Sequence, residues 1–243
     1  MTKSKIIVIL PAFNAEKTLE KTVNEIPRDI VDEIVLVDDG SKDKTITLAR
    51  KLNLNVFVHG KNLGYGANQK TCYKLALEKN ADIVVMLHPD YQYDPKVIKY
   101  LVGFIEEGYA DVMLGSRIRS RREALEGGMP IYKYFFNRLL TFCENLLSGY
   151  NLSEWHTGLR AYKREVLENI DFQNNSNDFV FDTQVLFQII EKKYRIGDIP
   201  IPVRYHSESS SINFKRSIKY GILTLYVAIK FFLRNLFHTR NGK

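Results

Sequence analysis

Cysteine is scarce in this 243-residue sequence: Cys72 and Cys143 are the only two. They form neither a zinc-type spacing nor a disulfide framework, and a reduced, cytoplasmic setting is the simplest reading. No signal peptide is expected either. Residues 1–5 are polar and lead into an apolar run of only about six residues, too short for a signal core. No internal repeat or low-complexity tract occurs. Two phosphate-binding signatures are also lacking. The glycine-rich stretch 60–70 (GKNLGYGANQK) has no Gly-Lys-Ser/Thr ending, so it is not a P-loop. No Gly-x-Gly-x-x-Gly follows the first strand-like run, which disfavours a Rossmann dehydrogenase.

Basic residues are plentiful. Thirty-five Lys and Arg against 28 Asp and Glu leave a formal charge of +7, which favours phosphates, nucleotides or an anionic membrane surface as partners. Acidic residues are mixed in along most of the length, which argues against nucleic acid. A hydrophobic content of 45% is ample for one sizeable domain or two small ones.

Apolar runs alternate with helical patterns. Strands are expected at residues 5–10 (broken by Pro11), 33–38, 55–59, 83–87 and 111–115. Between them lie helices at 15–26 (capped by Asn14), from Ser41 to Lys51, and from Gly66 to about Lys79. Another, opened by Asp94-Pro95, runs to about Glu107. This rhythm implies βαβ crossovers and a mainly parallel sheet flanked by helices. Beyond Arg117 the rhythm changes: a mobile loop at 118–129, a helix from Pro130 to about Leu147, strands at 158–162 and 195–201, and a helix at 181–193 between them. No linker separates this part. Residues 1–212 are expected to form one domain, with a nucleotide-binding half to about 117 and an acceptor-side half from about 118.

Four polar turns follow four successive strands, and ligands of open α/β sheets bind beyond the carboxyl ends of strands. The first, 10–16 (LPAFNAE), is alone no more than a strand-to-helix turn. The second, 37–41 (VDDGS), sets two carboxylates side by side, an arrangement that favours a bound partner such as a ribose or base N–H. The third, 60–70, is either a plain loop or backbone N–H groups at a helix start that meet a phosphate. The fourth, 84–95 (VVMLHPDYQYDP), is the richest in chemistry. Asp90 is placed to hold a hard divalent ion, with Gln92 two residues on, and Asp94 reads as a helix cap. His88 is either a ligand or a satisfied turn histidine.

These turns resemble those of family 2 glycosyltransferases of the GT-A (Rossmann-like) fold: PAFNAE, VDDGS, Asn-x-Gly-x-Gly at 62–66, and HPDYQ. Gly115-Ser116-Arg117, HTGLRAY at 156–162 and PIPVR at 200–204 are similar to the dolichol-phosphate mannose synthase branch. The resemblance covers about residues 5–212. It implies inverting transfer of a sugar from a UDP- or GDP-linked donor to a lipid-linked acceptor, most simply polyprenyl or dolichyl phosphate. A saccharide or glycolipid hydroxyl in cell-envelope glycan synthesis is the alternative acceptor, and a non-catalytic nucleotide-sugar-binding protein is a second alternative. By position, Pro11, Phe13 and Asp39 would hold the nucleotide, with Gly64 in the loop beside the donor. Asp90 and Gln92 match ligands of Mg²⁺ or Mn²⁺ and diphosphate. Arg117 and Arg204 match anion-binding arginines, and Lys133 lies near another basic position of that branch. A hydroxyl acceptor would need a base, for which Asp182 is the candidate, with Glu154 behind it. The chain departs from the pattern at His88, where the branch carries an acid, at Ala15, where it carries glutamate, and at 207–211 (SESSS), where it often reads Gly-x-Ser-Lys.

Residues 213–237 read as one long helix with a wide apolar face. Lys215, Arg216, Lys219, Lys230 and Arg234 fall on one stripe, and Lys230 leaves only about ten uninterrupted apolar residues, short of a span. The expectation is that 213–243 form a basic amphipathic helix lying at the cytoplasmic membrane face, with a helix packed on protein as the other reading.

Overall fold

A computed structural model describes residues 3–204 and 214–241. The SESSS segment and the Lys215 side chain lie outside the described residues. Seven strands, β1 (Ile6–Ala12), β2 (Glu33–Asp38), β3 (Asn55–Val58), β4 (Ile83–Met86), β5 (Val112–Ser116), β6 (Arg160–Lys163) and β7 (Ile196–Pro200), form one sheet in the order β3-β2-β1-β4-β6-β5-β7. The helices are α1 (Leu19–Asn24), α2 (Thr45–Lys51), α3 (Tyr65–Glu78), α4 (Ile98–Glu106), α5 (Arg121–Glu126), α6 (Ile131–Ser148), α7 (Arg164–Asn169), α8 (Phe181–Glu191) and α9 (Phe214–Asn241).

The apolar runs form the strands because both sheet faces are covered. Ile7, Ile9, Val35, Val37, Val84 and Met86 point to one face, against Tyr73 of α3, Phe181 and Leu186 of α8, and Ala228 and Phe231 of α9. Ile6, Val8, Leu10, Leu36 and Val85 point to the other, against Leu19 and Val23 of α1 and Leu101 and Ile105 of α4.

Three local expectations change. Pro11 does not break β1, which runs on to Ala12 paired with Asp38. Ile9 directs its carbonyl towards Leu87, and the ladder to β4 stops at Ile9↔Met86. By strand alternation Pro11 faces that unpaired side, so its missing N–H costs no ladder bond. Asn14 does not cap α1. It adopts a left-handed conformation, φ 51°, and its side-chain oxygen accepts from Lys42 N, so the helix starts only at Leu19. Residues 118–129 are not a plain loop: Ser120 Oγ accepts from Glu123 N at 3.1 Å and caps α5. The sheet is mixed but mainly parallel, as expected, with β6 alone running antiparallel, to both β4 and β5. Asp94 does cap, accepting from Lys96 N at 3.0 Å ahead of Pro95 and α4.

The antiparallel β6 has a topological consequence. Strands β1 to β5 and β7 end at one sheet edge, whereas β6 begins there. Residues 154–159, just ahead of β6, therefore arrive beside the turns after β4 and β5. At the opposite edge Asp111 clamps three strands, accepting from Arg195 N, Nε and Nη2 at 2.9, 3.0 and 2.9 Å and from Lys163 Nζ at 3.0 Å.

Two predictions follow from this packing. A Cβ on Gly66, in the first turn of α3, would lie 2.4 Å from Ser176 O and 2.8 Å from Phe181 Cβ. Gly66→Ala should therefore cost about 1–3 kcal/mol and lower Tm by several degrees in calorimetry. The Arg195 hydrogen bonds, with Lys163, outweigh burial and hold the Asp111 carboxyl well below the usual carboxylate range. Its stabilisation is complete above the unfolded value of about 3.9 and is lost as pH falls below it. In acid titrations followed by circular dichroism, Asp111→Asn should be less stable than wild type at pH 7 and lose less on going to pH 2.

Candidate active site

The turn after β4 is held in a strained shape. Tyr91 sits in the left-handed region, φ 56°, a conformation non-glycine residues adopt at a cost of about 1 kcal/mol or more. Its ring lies between Lys21 and the Arg204 guanidinium, 4.4 and 4.5 Å from the centroid, and its hydroxyl donates to Glu25. The turn closes as Gln92 N donates to Asp90 Oδ1 at 3.1 Å. Asp90 and Gln92 are thereby presented at the sheet edge.

Opposite stands Tyr65, the first residue of α3. Its ring stacks on His88, centroids 5.4 Å apart, and packs on Phe179 at 4.7 Å. Tyr65 Oη donates to Asp182 Oδ2 at 2.7 Å and lies 3.1 Å from His88 Nε2. A phenol has one hydrogen and the carboxylate only accepts, so His88 Nε2 carries the proton and donates to Tyr65. Burial lowers the His88 pKa against the opposing pull of Asp90 and Asp182. The imidazole is therefore neutral at pH 7, with its lone pair on Nδ1.

Asp182, in the first turn of α8, also accepts from Gln69 Nε2 at 3.1 Å and pairs with Arg160 Nη2 at 3.6 Å. Arg160 is fully buried, and its guanidinium donates to the carbonyls of Thr157 and Trp155 at 2.9 and 3.2 Å. Burial disfavours its charge, but Asp182 and neighbouring tyrosines outweigh that penalty and keep it cationic.

Arg117, just past β5, is gripped from beneath. Its backbone N and Nε donate to the two oxygens of Glu154 at 2.6 and 2.8 Å, and Nη2 donates to His156 O at 2.7 Å. Asn137 Nδ2 of α6 also donates to Glu154, at 2.8 Å. Burial acts to raise the Glu154 carboxyl, yet Arg117 outweighs it and holds the pKa below its ordinary value. Fully buried and ion-paired, Glu154 anchors Arg117 from beneath.

These groups surround one cleft of about 500 Å³. Phe13, His88, Asp90, Gln92, Arg117, Lys133 and Asp182 all line it. Burial, with Arg117 nearby, lowers the Lys133 ammonium pKa. Four other expected residues do not line it. Pro11 is buried in β1. Asp39 uses both oxygens internally, accepting from Leu63 N and Gly64 N at 2.9 and 3.0 Å and meeting His59 Nδ1 at 2.8 Å, so it shapes the 60–64 loop. Gly64, φ 103°, allows close approach to Asn177: a Cβ there would lie 2.7 Å from its carbonyl. Arg204 sits on Tyr91 and pairs with Asp94 at 3.2 Å and Glu25 at 3.8 Å.

Tyr65, His156, Phe179 and Tyr220 line the cleft without having been singled out, and Arg160 lies beneath its wall. Tyr65, His156 and Arg160 lie inside the quoted GYG and HTGLRAY stretches, so position in a motif was the only signal for them. Among the described residues no three His, Cys, Asp or Glu side chains converge as a metal cage. The residues present nonetheless fit a divalent ion that shares its shell with a bound diphosphate, which needs only one or two protein carboxylates; Asp90 is the one in place.

The profile of glycosyl transferase family 2 matches residues 7–171. A UDP-N-acetylglucosamine–dolichyl-phosphate N-acetylglucosaminyltransferase of Methanococcus voltae is 31% identical over 84% of this chain and 88% of its own length. A dolichyl-phosphate hexose transferase of Haloferax volcanii is 28% identical over 87% of this chain and 88% of its own. Among solved structures, glucosyl-3-phosphoglycerate synthase from Mycobacterium tuberculosis, in complex with Mn²⁺, UDP and phosphoglyceric acid, superposes with a TM-score of 0.73. At 18% identity over 94% of this chain and 78% of that one, it shows a shared fold. With the sheet, the polar edge and the profile in agreement, this chain belongs to glycosyl transferase family 2.

Proposed function

We propose that the enzyme transfers a sugar, with inversion, from a nucleoside diphosphate donor to a polyprenyl phosphate. One observation carries this reading: cationic and apolar side chains line the same cleft, and the helices that supply the apolar ones carry further apolar residues on their exposed faces. Arg117 and Lys133 lie within it beside Met129, Tyr132, Phe136 and Leu140, the last three on α6. The apolar wall continues outside as exposed Phe135, Leu139, Phe142 and Leu146 on α6 and Ile218, Ile222, Tyr226 and Ile229 on α9. A phosphate seated at the cations would leave an attached isoprenoid chain on apolar surface. The two dolichyl-phosphate transferases named above are consistent with that acceptor.

The reaction joins an acceptor phosphate oxygen to the anomeric carbon while the bond from that carbon to the diphosphate breaks, its electron pair leaving with the nucleotide. A phosphate is already anionic, so no general base is needed. Asp90 and Gln92 would hold the donor diphosphate and its divalent ion, and Phe13, 51% exposed at the cleft mouth, offers a face for the base. The ion supplies charge neutralisation as the diphosphate departs. Arg117, oriented by Glu154, would meet the phosphate oxygens with charge-assisted bonds. Asp182 is committed to Arg160, Tyr65 and Gln69, so it orients Tyr65 and His88 rather than taking a proton.

The exposed faces of α6 and α9 suit a membrane interface. Among the described residues Arg216–Phe237 is long and apolar enough to cross a membrane by length and composition, with 22 residues and a mean hydropathy of 1.3, contrary to the count of its apolar run. Thr224, Ala228 and Phe231 are buried, and α9 packs along α6 and α8, an arrangement that supports lying on a membrane rather than crossing it. The basic stripe is partly spent on protein: Lys219 pairs with Asp178 at 3.2 Å and Arg234 with Glu191. Apolar surface therefore contributes more to binding than charge does. The cytoplasmic face is where nucleotide donors are available, and the enzyme is proposed to act there.

Incubation with UDP- and GDP-sugars should release nucleoside diphosphate when polyprenyl phosphate is supplied and not with the corresponding polyprenol; turnover on the alcohol alone would overturn the acceptor assignment. Asp90→Asn should lower kcat on the order of 10²-fold or more, since the lost ion is worth several kcal/mol at the leaving group. Full-length protein should float with anionic liposomes, and Leu139→Glu with Phe142→Glu should keep it at the bottom of the gradient.

A further inference from the structure

His156 touches three elements at once. Its backbone carbonyl accepts from Arg117 Nη2 at 2.7 Å. Its ring Nδ1 lies 2.6 Å from the hydroxyl of Tyr220 on α9, with the two rings edge-on at 5.4 Å and 80°. Its Nε2 is 3.0 Å from Glu144 Oε2 of α6. Glu144 is fully buried, and neither of its oxygens nor His156 Nε2 has a well-aligned hydrogen bond among the described residues. The Tyr220 hydroxyl thus holds one ring nitrogen by a short hydrogen bond while Glu144 stands at the other. Glu154, the other anchor of Arg117, lies two residues upstream on the same segment.

The segment 154–156 thus carries Arg117, and α9 reaches it through Tyr220. The rest of the α9 docking is apolar contact at Ala228 and Phe231, one long contact between the buried Thr224 and Thr183 hydroxyls at 3.4 Å, and exposed ion pairs, which contribute little each. We propose that Tyr220 is a positioning residue for Arg117, acting through His156, and that it ties the reactivity of the cleft to the seating of α9 on the domain. The proposal rests on the anion-binding role of Arg117 in the reading above. A helix that both offers an apolar face to lipid and holds the carrier of the reactive arginine makes turnover depend on where the helix sits. Tyr220 itself also lines the cleft.

The test is a double-mutant cycle between Tyr220→Phe and Arg117→Lys in the full chain, at a temperature where all four proteins are folded. Tyr220→Phe keeps the ring and its packing and removes only the hydroxyl. Two quantities are measured: kcat and donor KM with polyprenyl phosphate in vesicles, and the affinity for inorganic pyrophosphate by calorimetry, which needs no turnover. Tyr220→Phe should lower kcat and pyrophosphate affinity several-fold in the wild-type background, leave donor KM within about twofold, and have no further effect in the Arg117→Lys background. Equal effects in both backgrounds would mean that Tyr220 acts on packing alone and would overturn the proposal, as would wild-type behaviour of Tyr220→Phe. An inactive wild type that still shows the pyrophosphate coupling would refute the acceptor assignment while leaving the positioning role standing.

Discussion

A single buried cation organises this cleft. Arg160 has no solvent contact, and a guanidinium in that position is tolerable only if its charge and its donors are matched. Asp182 supplies the charge, and the carbonyls of Trp155 and Thr157 take up donors. Removing one partner of such a pair typically costs about 3–5 kcal/mol, because the other charge is left uncompensated. The pair therefore pins the start of α8 to the segment entering β6. From Asp182 the order passes outward through hydrogen bonds, to Tyr65 and then to His88. His88 is thus held by a network that begins beneath the cleft, which gives it a reason to be present apart from metal binding.

The same economy of partners separates the cationic residues by role. Arg117 is aimed by a carboxylate that water does not reach, so its direction is set before any ligand arrives. Lys133 stands beside it on a helix whose outer face is apolar. Arg204 instead lies on the strained Tyr91 turn and pairs with Asp94 and Glu25. Arginines in comparable motif positions thus do different work, because one has a buried acid beneath it and the other has acids and an aromatic face around it.

Much of the fold was legible because it is local. Short branched runs bounded by turn residues marked every strand to within a few residues, and Asp94-Pro95 announced its helix start. Misreadings occurred where a neighbour decided the matter. Pro11 looked like a break, but whether a missing N–H matters depends on which strand lies alongside. Asn14 looked like a cap, yet its side chain is claimed by Lys42 from another loop. Segment 118–129 looked unstructured because its charges were counted rather than paired at i,i+4, as Arg119–Glu123 and Arg122–Glu126 are.

By itself the sequence determined the alternation of strands and helices, the polar turns at their ends, and the presence of Asp90, Gln92 and Arg117 among those turns. Side-chain type and short-range pattern suffice for that. Only the tertiary structure decided that β6 enters antiparallel from the reactive edge, that Glu154 lies beneath Arg117, that Asp39 accepts from the 60–64 loop, and that α9 lies against α6 with Tyr220 on His156. Each of these is a choice of partner between residues far apart in the chain. Burial sets the energy of such a choice, and burial is a property of the packed whole.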